Sequence, residues 1–526
     1  MTKQYVTTAI DYPNAAPHMG HVLEKVLADV CVRWMRLKGD DVRFQIGTDE
    51  HGIKIQQTAA KEKLTPKELV DRNVPLFQDL YARLGISADL FIRTSDRCKH
   101  WPTVMELWKR LQEEKMLEKR TYTGLYCSGC ERFLTKKDLV DGNCDVHQRA
   151  PEEVREENYF FLLSKETAWL KKLLKKEYKI VPTFRENETL ALLEQGCEDV
   201  SFSRPKSSLS WGIPVPDDPN QVMYVWCDAL TNYISGLGYF TDHEMKQWWE
   251  DATVTHVIGK DIARFHALIW PAMLKHAGVR SPDRLLIHGF LTSEGEKMSK
   301  SLGNVVKPEN VLAHFAGNPD PLRFYLSHEV PVGNDGDFSW KRIDELYIGV
   351  LSNKIGNLLN RVLVLLRKEG NEISVPVDAS FSQLLKDHWP RYTESMDAFD
   401  FSTALTDHVV ALAMAGNVKM EEKKPWTLTG TERAEVLGGI GEVLRHISLL
   451  LLPFMPETAQ KISLQLGVPY AGKMLEKSFV ITDEMKTWGG EKGWKAVSEP
   501  VILFPQLEKP ENAALSPPRR AGHLSP

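Results

Sequence analysis

Three short stretches carry the residues best suited to chemistry. Lys297-Met298-Ser299-Lys300-Ser301 follows a β-like run, Leu285-Leu286-Ile287-His288-Gly289-Phe290, and a turn through Ser293-Glu294-Gly295. Two lysines and two serines on a loop past a strand can close on a polyphosphate and neutralise the charge that develops as a P–O bond breaks. A solvated basic turn has the same composition. Near the other end, Asp11-Tyr12-Pro13-Asn14-Ala15-Ala16-Pro17-His18-Met19-Gly20-His21 joins a strand to a helix. His18 and His21, three apart at the helix start, point one way, toward the dipole end that favours phosphate. Gly20 between them would admit a flat base or ribose close to the backbone. Metal ligation and helix capping are the other uses of such a pair. Third, Cys127, Cys130, Cys144 and His147 form Cys-x2-Cys, thirteen residues, Cys-x2-His. Four soft or borderline ligands in two knuckles suit tetrahedral, structural Zn²⁺ with no open position.

The elements that must position these groups read as follows. Tyr5 to Ile10 is a buried strand, and the apolar period from Val22 to Arg36 is that of a helix. A strand at Val42 to Ile46 runs into Gly47-Thr48-Asp49-Glu50-His51-Gly52. Strand, polar loop and helix repeat, which is the pattern of a doubly wound, Rossmann-type parallel sheet in an α/β fold. Ligands bind beyond the carboxyl ends of such strands, so Asp11, Tyr12, His18, His21 and Asp49 are expected at one crevice. After a helix around Trp108 to Leu117 the pattern stops for the cysteine-bearing insertion, whose lysine run at 171–176 reads as the solvated face of an amphipathic helix. It resumes at Met223 to Tyr233, at Val254 to Ile258 with Gly259 and Asp261 placed to clamp ribose hydroxyls, and in a helix holding Phe265, His266, Ile269 and Trp270. A turn with a helix cap would use Gly259 and Asp261 equally well.

At 526 residues the chain calls for three or four domains. With 66 basic against 71 acidic residues and a formal charge of -5, any nucleic acid must be met by local patches. No apolar run approaches the ~18 residues of a membrane span, and the first residues enter a strand instead of a targeting peptide. A cytoplasmic protein without disulfides is expected from these features and from seven cysteines of which three cluster.

His18-Met19-Gly20-His21 after the first strand and Lys297 to Ser301 after the last match, in order and context, the two signatures of class I aminoacyl-tRNA synthetases. With Tyr12-Pro13-Asn14, Asp49-Glu50-His51-Gly52, Val225-Trp226-Cys227-Asp228-Ala229, Ile258-Gly259-Lys260-Asp261-Ile262 and Pro425-Trp426, the chain most resembles the methionyl-tRNA synthetase family, over about residues 4 to 505. The resemblance implies ATP-dependent attachment of L-methionine to tRNA(Met), initiator and elongator, through methionyl-adenylate. It implies that His18, Gly20, His21, Lys297, Ser299 and Lys300 hold ATP phosphates with Mg²⁺, and that Gly259 and Asp261 hold ribose. Asp49 matches the position for the methionine ammonium, and Ile10, Tyr12, Trp226, Ala229, Tyr233, Ile262 and His266 match the side-chain pocket. Aromatic and aliphatic walls suit a flexible thioether. One methylene is worth only ~1–3 kcal/mol, so homocysteine is expected to be a problem substrate. Met19, where leucine or isoleucine is commoner, and Asp11, where a hydrophobic residue or proline is often found, depart from the family pattern.

Beyond the lysine loop the character turns helical. Val350, Leu351, Ile355, Leu358, Leu359, Val362, Leu363 and Leu366 make one stripe, with Asn353, Asn357, Asn360 and Arg361 opposite. Asn357 and Arg361 share a face and could meet unstacked bases. The resemblance gives them, with Trp426 as stacking surface, the reading of the anticodon. The expected domains are 1–115 and 223–292 for the halves of the catalytic fold, 116–222 for the zinc-bearing insertion, 293–343 for the signature loop and linking region, 344–480 for an all-α anticodon-binding bundle, and 481–526 for a segment that packs back and ends in a disordered tail. No room remains for the dimerising domain of some relatives, which predicts a monomer. A nucleotidyl-transfer enzyme acting without tRNA would not need Asn357, Arg361 and Trp426. An idle synthetase-like RNA-binding protein would be expected to have lost signature histidines or lysines, and none is missing.

Overall fold

The computed structural model describes residues 2–127, 132–134, 139–145, 148–293, 295–297 and 305–507. It divides into two compact units. The first comprises Met1–Pro17, Asp40–Ala82 and Ile86–Gly289. Its centre is a six-stranded sheet with the strands in the order Leu90–Arg93, Asp41–Thr48, Lys3–Thr8, Thr253–Gly259, Arg284–His288 and Lys179–Val181. Every pairing in it is parallel. Such a sheet is covered on both faces, and Tyr5, Val6, Thr7 and Thr8 are accordingly all buried. The strand order reverses between Lys3–Thr8 and Thr253–Gly259, which makes the carboxyl ends of these two strands the switch point of a doubly wound fold. Thr7 Oγ1 and His256 Nδ1, on these neighbouring strands, lie 2.7 Å apart, and the Trp270 indole donates to His256 Nε2 at 3.1 Å.

After Leu90–Arg93 and helix Trp101–Glu113 the chain builds an antiparallel sheet, to which it returns after Lys179–Val181. Leu117–Cys127 and Glu152–Phe161 pair from Leu117 opposite Phe161 to Tyr126 opposite Glu152, flanked by Val200–Ser201 and Arg132–Leu134. The expected helix around Trp108 to Leu117 spans Trp101–Glu113 instead, and Leu117 opens the long strand. Lys115, at φ 54°, reverses the chain between them.

The second unit comprises His18–Gly39, Arg83–Gly85 and Phe290–Pro526. Helix Met19–Leu37 is packed here against C-terminal elements. Fully buried Arg323 pairs with Asp29 of that helix at 2.8 Å and donates to the carbonyls of Phe454 at 2.8 Å and Pro453 at 3.1 Å. The Trp34 indole donates to Asp397 Oδ1 at 2.7 Å. Helices Ala379–Asp397, Ala411–Lys423, Gly430–Leu451 and Pro456–Leu466 form most of the rest. In its interior Glu442 and Arg445 make a two-armed ion pair at 2.7 Å, and His446 accepts from the Trp389 indole at 3.1 Å. The expected apolar stripe is buried from Leu351 to Leu366 except that Val350 is half-buried. It runs through a π-helical stretch, Tyr347–Gly356, into helix Asn357–Leu366. Of the apolar run near the end, Phe504 is buried against Tyr347, whereas Val501 and Ile502 face solvent. The tail from Glu508 lies outside the described residues. No helix among the described residues is long and apolar enough to cross a membrane.

Candidate active site

In the first unit the chain after Lys3–Thr8 turns past the end of the neighbouring strand. Asp11 N–H donates to Gly47 O at 2.9 Å, and Asp49 N–H donates to Asp11 O at 2.8 Å. The unusual Asp11 thus has a local task, and its carboxylate accepts the Tyr81 hydroxyl at 2.6 Å. Gly47 is required here, since a Cβ would stand 2.3 Å from Ile92 O. The Tyr12 hydroxyl donates to His51 O at 2.7 Å.

The residues expected to wall a side-chain pocket come together. Ile10, Tyr12, Ala229 and Trp226 pack in one apolar cluster with Tyr126, Leu209 and Tyr224. Trp226 and Ile262 also pack on the main core, which includes Tyr233 and Phe265. Trp226 stacks on Phe265 with ring centroids 3.6 Å apart. Its indole N–H is buried without a hydrogen-bond partner among the described residues. His266 Nδ1 lies 3.0 Å from Ile262 O, so it carries the proton, and in the neutral ring Nε2 accepts the Tyr233 hydroxyl at 2.6 Å. Leu209, Tyr126 and Tyr224 carry no signal in the sequence, and Phe265 reads there only as part of a helix. Tyr126 is contributed by the insertion, far from Tyr224 in the chain, although the two hydroxyls are 2.9 Å apart. Asp261 sits beside Gly259, where a Cβ would come 2.8 Å from Asp261 Oδ1 and 3.6 Å from His288. His288 is a further neighbour that no spacing pointed to.

In the second unit His18 is the N-cap of helix Met19–Leu37. Gly20 N–H donates to His18 Nδ1 at 3.1 Å, and His18 N–H donates to His21 Nδ1 at 3.1 Å. Both rings therefore use Nδ1 as acceptor, which places the proton of each neutral ring on Nε2. The rings stack at 3.8 Å. Burial, the neighbouring His18 and Lys25 hold His21 well below the usual histidine range. It is a neutral N–H donor at pH 7, at the positive end of a helix dipole. Of the uses that the sequence leaves open, phosphate contact, metal ligation and helix capping, the one seen here is helix capping. Lys297 falls in strand Glu296–Lys297, while Ser299 and Lys300 lie outside the described residues.

Asn357 is exposed and Arg361 half-exposed one turn apart, and the guanidinium of Arg361 lies 5.3 Å from the ring of Trp426, itself 42% exposed. Of the four knuckle residues, Cys127 and Cys144 share a buried cluster with Leu134. Cys130 and His147 lie outside the described residues, and no metal-holding group is found among those described. Cys127 ends the long strand Leu117–Cys127 and Cys144 lies in the hairpin Leu139–Val140/Asn143–Cys144, two thiols of the kind a structural zinc site uses.

The family described as "tRNA synthetases class I (M)" matches residues 4–150 and 134–363. A methionine–tRNA ligase of Caldanaerobacter subterraneus subsp. tengcongensis is 40% identical over 527 residues, covering 96% of this chain and 79% of that one. One of Rickettsia conorii is 36% identical over 524 residues, covering 96% and 99%. Among solved structures, Mycobacterium tuberculosis methionyl-tRNA synthetase in complex with methionyl-adenylate superposes with a TM-score of 0.87 at 36% identity, covering 96% of this chain and all of that one. Its apo form gives 0.81 at 33% identity. With the family matched across the whole parallel sheet and relatives of 36% and 40% identity aligned over 96% of this chain, the chain belongs to the methionine–tRNA ligases of the class I tRNA synthetases.

Proposed function

We propose that each step of methionine charging falls to a distinct group of side chains. The chain attaches L-methionine to tRNA through methionyl-adenylate, with ATP consumed and AMP and pyrophosphate released; the observation that carries this is the alignment over 96% of its length with a relative whose structure holds methionyl-adenylate. The methionine carboxylate oxygen attacks the α-phosphorus of ATP, and the bond to the β-phosphate oxygen breaks. A 3′-terminal ribose hydroxyl of tRNA then attacks the acyl carbon, releasing AMP while its proton passes to solvent or phosphate. Alignment and charge stabilisation supply the rate, since the nucleophilic carboxylate arrives ionised.

Asp49 takes the ammonium group of methionine. Ile10, Tyr12, Trp226, Ala229, Tyr233, Ile262 and His266 enclose its side chain, and the clustering of these residues in the first unit supports the assignment. Because the Tyr233 hydroxyl is engaged by His266, the thioether sulfur is left to aromatic ring edges rather than to that hydroxyl. His18 and His21 offer Nε2–H groups to phosphate oxygens, with Gly20 beneath them. Lys297, Ser299 and Lys300 neutralise the pentavalent phosphorus and the departing pyrophosphate, and Gly259 and Asp261 hold ribose. Mg²⁺, arriving with the nucleotide, adds further charge neutralisation. Cys127, Cys130, Cys144 and His147 hold one structural Zn²⁺ that ties the insertion together and takes no part in either chemical step. Asn357, Arg361 and Trp426 read the anticodon of initiator and elongator tRNA(Met), and the contact of Arg361 with Trp426 supports a shared role. The domains follow the sequence boundaries, with a cytoplasmic monomer as the working form. The decisive test is methionine-dependent exchange of pyrophosphate into ATP. A signal with another amino acid and none with methionine would sink the assignment.

A further inference from the structure

The first unit holds a buried carboxylate to which none of the roles assigned above falls. Asp228, in helix Val225–Leu230, is fully buried, and both of its oxygens are occupied by imidazoles. His51 Nδ1 lies 2.6 Å from Oδ2 and His100 Nε2 lies 2.7 Å from Oδ1. A carboxylate only accepts, so each ring presents an N–H. Burial pushes the carboxyl up, but His51 and His100 outweigh it and hold it down at about 2, so it is a charge at working pH. His100 is held in turn, its Nδ1 2.7 Å from Ser235 Oγ. A buried charge that is weak evidence of stabilisation is better explained by what it fixes in place.

What it fixes is the loop that carries Asp49. Asp49 N–H is anchored on Asp11 O, Glu50 N–H on Thr94 Oγ1 at 2.8 Å, and Glu50 O on the Trp211 indole at 2.5 Å. These bonds hold the loop to the strand ends and to the insertion. The His51 side chain adds the connection to the helix that bears Trp226 and Ala229. Two acceptor oxygens on one carboxylate, each engaged by a different ring, also prevent the carboxylate from turning about its axis. The separation between Asp49 and the Trp226 wall is thereby set through a short chain of buried bonds.

We propose that Asp228, acting through His51 and braced by His100, is a positioning residue for the amine of methionine, fixing how far the ammonium-binding carboxylate of Asp49 stands from the wall that receives the thioether. The inference rests on the reading of Asp49 and Trp226 given above. Asp228→Asn keeps the shape but turns one acceptor into a donor facing a donor. His51→Leu removes the link, and His51→Asn restores an N–H close to the Nδ1 position. The measurement is pyrophosphate exchange by the full chain, with 3-(methylthio)propylamine, which has the amine and thioether, and 4-(methylthio)butanoic acid, which lacks the amine, as competing probes. For Asp228→Asn and His51→Leu, methionine KM and the inhibition constant of the amine probe should rise ~10- to 100-fold, with KM for ATP and the amine-free probe within about threefold of the parent. His51→Asn should recover most of the loss. Equal weakening of both probes, or unchanged amine binding, would overturn the proposal and leave Asp228 a purely structural residue. Asp49→Asn separates the two readings. If it shows no amine-specific loss, the assignment of Asp49 falls; if it does while Asp228→Asn and His51→Leu do not, only the positioning role falls. Should Asp228→Asn fail to fold, the two His51 variants decide the outcome.

Discussion

Arg361 lies over the indole of Trp426, its guanidinium carbon 5.3 Å from the ring centroid, while Nη2 pairs with Glu421 at 2.8 Å. The guanidinium plane and the indole face are both surfaces on which an unstacked base can rest, and Glu421 occupies the charge that a phosphate would otherwise attract. Stacking of a base on an aromatic ring is worth ~1–3 kcal/mol, so Trp426→Ala should lower kcat/KM for tRNA by about 10- to 100-fold. Pyrophosphate exchange without tRNA should stay near the parent level. Equal loss of both activities would refute the division of labour. Glu421→Gln, which removes a competing carboxylate, should tighten tRNA binding modestly, with the gain vanishing at high salt.

Gly20→Ala should separate stability from activity. A Cβ at this position would stand 3.0 Å from His18 Cε1 and 3.1 Å from Nδ1, so the imidazole must give way by a few tenths of an ångström, which loosens its cap on the backbone amide. Alanine in a helix is ~1 kcal/mol better than glycine by propensity, which offsets the weakened cap. The expected result is a denaturation midpoint close to the parent and a pyrophosphate-exchange rate reduced about tenfold or more, through a displaced phosphate donor. A fully active variant would show that the ring orientation is immaterial.

How far the sequence reaches is visible in these two sites. The strands at Val42 to Ile46 and Val254 to Ile258 lie within the observed strands, because buried parallel strands are short apolar runs between polar loops. The helix ends at Glu113, short of the expected Leu117, because Lys115 takes a left-handed backbone that lysine seldom adopts. The π-helical stretch Tyr347–Gly356 escapes because two turns cannot distinguish its period from that of an α-helix. His18 and His21 were legible as a pair, since spacing along a helix predicts a shared face. Their tautomers were not, because these depend on which backbone amide each ring meets. The link between His51, His100 and Asp228 escapes local reading altogether, as its members come from three separate segments that only the sheet brings together.

Acid should weaken the fold through its buried histidines. Burial and the nearby Arg445 lower His446 to about 4, and burial also holds His256 well below the ordinary range. The folded protein therefore binds fewer protons than the unfolded chain. Stability from these groups is complete above pH ~6.5 and is lost as pH falls from there toward the folded-state values. Glu442, lowered to about 2 chiefly by Arg445 and His446 against the opposing effect of burial, extends the loss to lower pH with the same sign. Urea midpoints should be flat between pH 7 and 8 and should decline between pH 6.5 and 4. His446→Gln should make that decline shallower. An unchanged slope would place the acid sensitivity elsewhere.

Arg323→Met should be among the most damaging substitutions outside the reactive groups. It leaves Asp29 buried and stripped of this partner, and frees the carbonyls of Phe454 and Pro453 from a donor they now share. Breaking one side of a buried ion pair costs ~3–5 kcal/mol. Denaturant titration should show that loss, and adding Asp29→Asn should recover part of it, because the buried charge, which keeps Arg33 at 2.7 Å but has lost Arg323, is then gone. No recovery in the double variant would mean that the carbonyl contacts, and not the charge pair, dominate.

Metal content tests the knuckles directly. Cys127 and Cys144 lie together in a small cluster whose apolar members, Leu125, Leu134 and Leu139, are too few to make a core of their own. A structural metal can supply the missing folding free energy of such a lobe. Emission spectroscopy of the purified chain should find about one zinc per molecule, and Cys127→Ser and Cys144→Ser should each lose it. Since the metal is assigned no chemical step, chelation should raise proteolytic cleavage between residues 127 and 148 before it lowers pyrophosphate exchange. Zinc content unaltered by both serine substitutions would remove these cysteines from any metal site, and exchange lost in step with the metal would show that the insertion shapes the pocket through Tyr126 and Tyr224.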